Sequence, residues 1–90
     1  MSDDPVRMPV DGVLDLHTFQ PGETADVMEE YLRVCLENGI RHVRIIHGKG
    51  TGVQRRIVHS LLERLWFVDS FRGADETAGG WGATVVTLKI

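Results

Sequence analysis

The stretch RHVRIIHGKGTGVQRRIVHSLL, residues 41–62, predicts a strand, a glycine-spaced loop and a helix in immediate succession. Residues 41–47 are rich in valine and isoleucine, which favour strands. Glycines at 48, 50 and 52 interrupt this pattern, and apolar side chains then recur at helical spacing over residues 53–65. A strand that passes through a short loop into a helix belongs to a β-α-β unit, so this stretch favours an α/β fold.

The rest of the chain extends this order on both sides. Apolar and polar residues alternate over 12–17, which is typical of a half-buried strand. A proline and a glycine predict a turn over 19–22, and Asn38-Gly39 predicts the end of the helix that follows. The predicted elements are a strand at 12–17, a helix at 23–38, a strand at 41–47, a helix at 53–65 and strands at 66–71 and 83–88.

The order βαβαββ predicts a two-layer α/β sandwich with a four-stranded mixed sheet. Right-handed crossovers join parallel strands, so two successive crossovers place both helices on one face of the sheet. The loop at 73–82 alone joins the last two strands, so we expect one strand to run antiparallel. We expect residues 12–90 to form this domain and residues 1–11, which contain two prolines, to be a loose leader.

Length and composition exclude several classes of protein. The chain has 90 residues, of which 42% are hydrophobic and 26% are charged. These values are typical of one small globular domain and exclude a disordered chain. No apolar run approaches the roughly 20 residues of a membrane span, and the amino terminus lacks the pattern of a secretory signal. The single cysteine, Cys35, excludes a disulfide and is expected in the core. We therefore expect a cytoplasmic protein without a membrane partner.

Charge is distributed unevenly along the chain. Residues 1–40 hold nine acidic and two basic residues, whereas residues 41–90 hold four acidic and eight basic residues. No acidic residue occurs between Arg41 and Leu62. Such a basic segment can bind an anion even though the net charge is −3. A solvated helix face would produce the same pattern.

Three motifs carry a more specific signal: LDLH at residues 14–17, HGKGTG at 47–52 and GGWGAT at 79–84. In this order they resemble the Smr (small MutS-related) domain family, over about residues 12–90. The resemblance implies a fold like that of the C-terminal domain of bacterial translation initiation factor three. It also implies nicking or cleavage of DNA in some members and of RNA in others, while further members only bind.

The resemblance also implies which residues form the site. The positions that match the family motifs are Asp15, His17, His47, Gly48, Gly50, Gly80 and Gly82. One position departs from the family pattern, because the glycine that usually follows the first motif is Thr18 in this chain. This departure leaves open whether the loop beside His17 has the shape that catalysis needs.

The residues themselves favour phosphodiester chemistry at one end of the sheet. Ligands of open α/β sheets bind beyond the carboxyl ends of the parallel strands, and the predicted strands bring His17 and His47 from such ends toward one crevice. Asp15 lies two residues before His17, on the same face, and can orient its imidazole. A neutral histidine can act as a general base toward water or a ribose 2′-hydroxyl. The second histidine, or Lys49, can stabilise the developing charge or protonate the leaving oxygen.

A further set of residues is predicted to hold phosphate groups. Glycines let backbone amides approach an oxyanion closely, and the glycine-spaced loop leads into the amino terminus of a helix. Two arginines follow in the first helical turn, and Trp81 offers a surface on which an unpaired base can stack. The predicted phosphate- and nucleic-acid-binding residues are Gly48, Lys49, Gly50, Gly52, Arg55, Arg56, Gly80, Trp81 and Gly82.

Our first hypothesis is an endonuclease that acts on DNA or RNA through Asp15, His17 and His47. The alternatives are a non-catalytic module that binds nucleic acid, and an adaptor, for example on ribosomes, that uses the acidic first helix. A divalent metal held by the same three residues stays open, because imidazole and carboxylate bind several such ions; no other cofactor is predicted. The motif histidines can also be structural. His42 and His59 carry no motif and are expected on the surface.

Overall fold

The computed structural model describes residues 10–48, 52–74 and 82–90. Its elements follow the predicted order βαβαββ. They are β1 (Val13–Asp15), α1 (Pro21–Glu37), β2 (His42–Ile46), α2 (Val53–Arg64), β3 (Val68–Gly73) and β4 (Ala83–Leu88). None of the helices in these parts of the chain is long and apolar enough to cross a membrane.

The four strands form one mixed sheet in the order β1-β2-β4-β3. β1 and β2 are parallel, and β4 runs antiparallel to both of its neighbours. The expected single antiparallel strand is therefore confirmed, and it lies inside the sheet. Asp15 at the end of β1 is opposite Ile46 at the end of β2, which is opposite Ala83 at the start of β4. These three strand ends form one edge of the fold, which we call the site edge.

One face of the sheet is buried and the other is open. Leu14 of β1, Val43 of β2 and Val86 of β4 are buried, whereas Val13 and Arg44, their neighbours on the opposite face, are exposed. Both helices contribute to the same hydrophobic core and contact each other. The two helices thus cover one face together, as the crossover rule predicts.

Helix α1 begins at Pro21, two residues before the predicted start. The amide of Gln20 donates to Glu23 Oε1 at 2.9 Å, and the amide of Glu23 donates to the Gln20 carbonyl at 2.8 Å. Pro21 then occupies the first helical position, where its missing N–H and fixed φ are no disadvantage. The predicted turn at Pro21-Gly22 is therefore wrong, because proline at the first helical position begins a helix. The other end is as predicted, since Gly39 has a φ of +73°.

Strands β1 and β3 differ from their predicted ranges. β1 ends at Asp15, two residues before the predicted end, because the chain turns away from β2 after Leu16. β3 begins at Val68 and not at residue 66, because Trp66 and Phe67 form a turn that buries the Phe67 ring completely. Cys35 is buried in the core, as predicted.

Candidate functional site

Asp15 and His17 form an exposed pair at the site edge, which we call the exposed dyad. The amide of Leu16 donates to the Ile46 carbonyl at 2.8 Å, so strand pairing extends one residue past β1 and presents His17 beyond it. His17 Nδ1 lies 2.7 Å from Asp15 Oδ1, and the amide of His17 donates to the same oxygen at 3.0 Å. The side chain of His17 is 69% exposed and that of Asp15 is 46% exposed. Asp15 and His17 are therefore in direct contact, as the expectation that Asp15 orients His17 requires.

The dyad is held by local bonds. The backbone and side-chain hydrogen bonds from His17 lower the pKa of Asp15 below its ordinary value of 3.8. The carboxylate is therefore ionised at neutral pH, and it can only accept, so the proton lies on His17 Nδ1. In a neutral imidazole this leaves Nε2 with an open lone pair. A neutral imidazole oriented in this way can accept a proton at Nε2.

Thr18 fits the turn that follows the dyad. The amide of Phe19 donates to the Leu16 carbonyl at 3.0 Å, which closes the turn across His17 and Thr18. No non-glycine residue in the described ranges has a positive φ. The turn beside His17 therefore forms in this chain without the glycine that the resemblance leads one to expect.

His47 lies at the same edge in a different environment. Its side chain follows Val43 and Ile45 on the helix-covered face and the residue is 6% exposed. Nδ1 is 3.1 Å from the Gly48 carbonyl, and Nε2 is 2.9 Å from Thr84 Oγ1. Burial lowers the pKa of His47, an effect that the bond to Gly48 partly opposes. His17 and His47 have different surroundings at the site edge, because the His17 side chain is 69% exposed and His47 is 6% exposed. That both turn toward one crevice stays a prediction.

His59 of α2 joins His47 through a shared partner. His59 Nε2 is also 2.9 Å from Thr84 Oγ1, and its ring packs against Phe71 at a centroid distance of 5.1 Å. His59 is therefore half-buried with one ring nitrogen bonded inside the fold, which the expectation of a surface residue did not include. A signal was available, because His59 precedes the buried Leu62 by three residues and so flanks the apolar stripe of α2. We call His47, Thr84 and His59 the buried relay.

The motif glycines at the site edge have two different structural roles, one set by backbone conformation and one by hydrogen bonding. Gly48 and Gly52 have φ values of +79° and +86°, which a side chain rarely adopts. Gly82 instead supplies its carbonyl, which accepts the amides of His47 at 2.8 Å and Gly48 at 2.9 Å. The Gly48 amide is thus used within the fold, which corrects the expectation that it faces an oxyanion. The predicted site residues Lys49, Gly50, Gly80 and Trp81 lie outside the described residues.

The first amides of α2 have no partner within the helix. Its first intrahelical bond runs from the Arg56 amide to the Gly52 carbonyl at 3.0 Å, so the amides of residues 53–55 precede the helical ladder. The first turn of α2 contains no acidic residue. A cavity of about 310 Å³ borders this helix start and is lined in part by Pro21, His47 and Arg55. A helix start with an arginine and no acidic residue in its first turn can attract an anion.

A family model for the Smr domain matches residues 14–89. The chain belongs to the Smr domain family. It superimposes on the crystal structure of the Smr domain of Thermus thermophilus MutS2 with a TM-score of 0.84 and 32% identity, covering 89% of this chain and 100% of that one. It also superimposes on the crystal structure of YdaL, a stand-alone small MutS-related protein from Escherichia coli. There the TM-score is 0.84 and the identity is 27%, covering 94% of this chain and 70% of that one.

The Smr domain is also similar to part of several longer proteins. Endonuclease MutS2 of Carboxydothermus hydrogenoformans is 41% identical over 76 residues, which cover 84% of this chain and 10% of that protein. Endonuclease MutS2 of Halothermothrix orenii is 36% identical over 80 residues, which cover 89% and 10%. The chain therefore spans about a tenth of the length of these relatives and corresponds to their Smr domains.

Gln54 is a site residue of this Smr domain that the sequence did not reveal. Its Oε1 accepts a hydrogen bond from Thr24 Oγ1 of α1, and its Nε2 donates to the Phe19 carbonyl at 3.0 Å. Gln54 therefore ties the start of α2 to the turn that carries His17. The partners are 30 and 35 residues away in sequence, so no local pattern pointed to them.

The described parts of this Smr domain contain no group of three or more His, Cys, Asp or Glu residues placed to hold a metal ion. Asp15 and His17 are in contact, whereas both ring nitrogens of His47 are bonded elsewhere. The three residues considered as a metal site from sequence thus do not fit a shared ion in this arrangement.

Proposed function

We propose that this Smr domain is a nucleic-acid endonuclease, with the exposed dyad as its proton-transfer group. The observation that carries the proposal is the 2.7 Å contact between His17 Nδ1 and Asp15 Oδ1 on an exposed imidazole. The carboxylate fixes the tautomer, and the open Nε2 can remove a proton from water or from a ribose 2′-hydroxyl. The similarity to endonucleases supports phosphodiester cleavage as the reaction.

His47 has a positioning role in this proposal. Its two ring nitrogens are bonded to Gly48 and Thr84 within the fold, so neither is open to a substrate. Its bonds instead hold the backbone that leads from β2 into the glycine loop. Lys49, which follows in that loop, is the predicted group that stabilises the charge developing on the phosphate.

Phosphate is held at the start of α2 in this proposal. Arg55 and Arg56 are exposed in the first turn of α2, beside the amides that precede the helical ladder. An arginine and a helix amino terminus both attract phosphate oxygens. Contacts of this kind position a nucleic acid without reading its sequence.

A non-catalytic binding module is the second candidate. It is favoured by the bonding of His47, whose two ring nitrogens both have partners within the fold. His17 is then the one motif histidine with an open ring nitrogen. The two candidates share the phosphate contacts and differ in cleavage. The adaptor and ribosome partners stay predictions from the acidic character of residues 1–40.

Cleavage and binding are measured on the same purified domain. Labelled single-stranded RNA, nicked DNA and supercoiled DNA are incubated with Mg²⁺, with Mn²⁺ or with EDTA. Cleavage of any substrate that is lost in His17→Ala establishes the endonuclease. Salt-sensitive binding without cleavage in any condition establishes the binding module, and absence of both contradicts the proposal.

The double charge reversal Arg55→Glu and Arg56→Glu tests the phosphate site. We expect weaker binding to all sequences, and a slope of log affinity against log salt that is shallower by roughly 1 to 2, since each lost phosphate contact removes about 0.7 to 0.9. The control reverses Arg33 of α1 and Arg64 at the end of α2, which changes the net charge equally. Equal effects of the two double variants would remove the α2 start from the site.

A further inference from the structure

The buried relay contains a histidine that the proposed reaction does not use. Thr84 is fully buried, and its Oγ1 lies 2.9 Å from Nε2 of His47 and 2.9 Å from Nε2 of His59. The three residues come from the end of β2, from β4 and from α2. The relay therefore connects the site edge with the exposed side of α2, where His59 lines a groove of about 460 Å³ together with Arg55 and Arg56.

The donor and acceptor capacities of the partners determine where each proton of the relay lies. The Gly48 carbonyl can only accept, so His47 Nδ1 carries the proton that points to it. Neutral His47 then has a bare Nε2, which accepts the single hydroxyl proton of Thr84. Thr84 Oγ1 has only lone pairs left, so His59 donates to it through Nε2–H. With both rings neutral, His59 consequently has a bare Nδ1.

That Nδ1 is not fully enclosed by the described residues. Every buried side-chain nitrogen or oxygen there has a hydrogen-bond partner. His59 is bonded through Nε2 alone, so its Nδ1 is accessible. Phe71 packs against one side of the ring and the Thr84 bond fixes its rotation. The groove thus contains an acceptor whose position and tautomer are set by the fold.

The charges around His59 favour its neutral form. Burial has the largest effect in lowering the pKa of His59, and the positive charge of Arg55 adds to it. His47 acts in the same direction and Glu63 opposes them. Arg56 and Ser60 complete the groove. Near neutral pH the Nδ1 lone pair is therefore available to a donor.

We infer that His59 accepts a hydrogen bond from a ribose 2′-hydroxyl, so that the groove along α2 prefers RNA to DNA. Arg55 and Arg56 flank His59 and attract phosphate. Along a nucleic-acid backbone held by its phosphates, the 2′-hydroxyl is the one hydrogen-bond donor, and it is absent from DNA. A fixed acceptor beside two phosphate-binding cations matches this group. The inference rests on the proposed binding of nucleic acid and specifies its substrate class.

The test compares binding to three single strands of one sequence. They are RNA, the DNA strand with deoxyuridine in place of uridine, and the 2′-fluoro strand, which keeps an RNA-like backbone without the donor. Binding is measured in the His17→Ala variant, so that cleavage does not consume the RNA. We expect RNA to bind about 3- to 10-fold more tightly than the other two strands, the range expected for one hydrogen bond.

Variants locate the effect at His59. His59→Leu should reduce RNA affinity to the level of the 2′-fluoro strand and leave DNA affinity unchanged. His59→Asn, whose side-chain oxygen can lie close to the position of Nδ1, should retain part of the preference. His42→Leu, at an exposed histidine of β2, is the matched control and should retain all of it.

Long-range ¹H–¹⁵N spectra check the relay directly and need no nucleic acid. We expect the Nδ1–H tautomer for His47 and the Nε2–H tautomer for His59. The opposite assignment would overturn the inference. Equal affinity for the three strands would overturn it while leaving nucleic-acid binding intact, whereas absence of all binding would contradict the proposed function as well.

Discussion

The exposed dyad and the buried relay place the same residue type at one edge of one sheet, with opposite consequences. His17 has a single bonded nitrogen and is largely exposed, whereas His47 is 6% exposed and bonded at both nitrogens. The difference arises from their surroundings, because His17 lies in an exposed turn after β1, whereas His47 follows Val43 and Ile45 on the helix-covered face of β2.

Electrostatics separates the two groups further. Hydrogen bonds from His17 lower the pKa of Asp15, which keeps a charge at the surface. Burial lowers the pKa of His47 and of His59, which keeps the relay neutral. The dyad thus keeps a charged carboxylate at the surface, and burial favours uncharged rings in the relay.

The largest expected effect is on cleavage by the dyad. His17→Ala and Asp15→Asn should each lower the cleavage rate by about 10²- to 10⁴-fold, the usual contribution of a general acid–base group. Binding should change far less, because it rests on several cations and backbone amides. Single-turnover rates and binding isotherms are measured for both variants, and each must show a wild-type melting profile. Cleavage by His17→Ala at the wild-type rate would make this histidine structural and end its catalytic assignment.

A smaller effect is expected on stability in mild acid, and it belongs to the relay. The pKa values of His47 and His59 are lowered from 6.5 in the folded state, so the unfolded chain takes up protons first as the pH falls. Their contribution to the free energy of unfolding is therefore complete above pH 6.5 and is lost as the pH falls below it. The lowered pKa of Asp15 also contributes to the free energy of unfolding, and this contribution is lost only at lower pH, as the pH falls below 3.8.

Urea unfolding at pH 7.5 and at pH 5.0 measures the contribution of the relay. The free energy of unfolding should be smaller at pH 5.0, and His59→Gln should reduce the difference between the two values. His42→Gln, which changes an exposed histidine, is the control and should leave the difference as it is. A difference that is the same in all three proteins would show that His59 does not titrate differently on folding.

Much of the fold follows from local patterns in the sequence. The apolar stripes, Asn38-Gly39 and the two crossovers predict the element order and the shared face of the helices, and the structure confirms both. The start of α1 was missed because proline both ends and begins helices. The sequence spacing allows Asp15 to orient His17 but does not fix their contact, which the turn after β1 makes through the bond from the His17 amide to Asp15 Oδ1.

The relay is harder to predict because it is made by packing. Thr84 lies 37 residues from His47 and 25 from His59, and only the placement of β4 beside β2 brings them together. The alternation of side chains along β2 predicts that His47 lies on the buried face, since it follows Val43 and Ile45 at intervals of two residues. The partners of a buried histidine depend on the neighbouring strand and helix, and sequence spacing does not specify these.

The smallest expected effect comes from the turn that keeps the dyad open. Thr18→Gly introduces the family's usual residue into a turn that already forms without a positive φ. The substitution should leave cleavage within about 2-fold, because the turn is closed by the backbone bond from Phe19 to Leu16, which glycine retains. It should lower the free energy of unfolding by about 0.4–1 kcal/mol, because glycine increases the entropy of the unfolded chain. Cleavage kinetics and urea unfolding measure the two quantities. A large gain in cleavage would show that Thr18 restricts access to His17, and would place the difference between dyad and relay in the loop as well as in the face of the sheet.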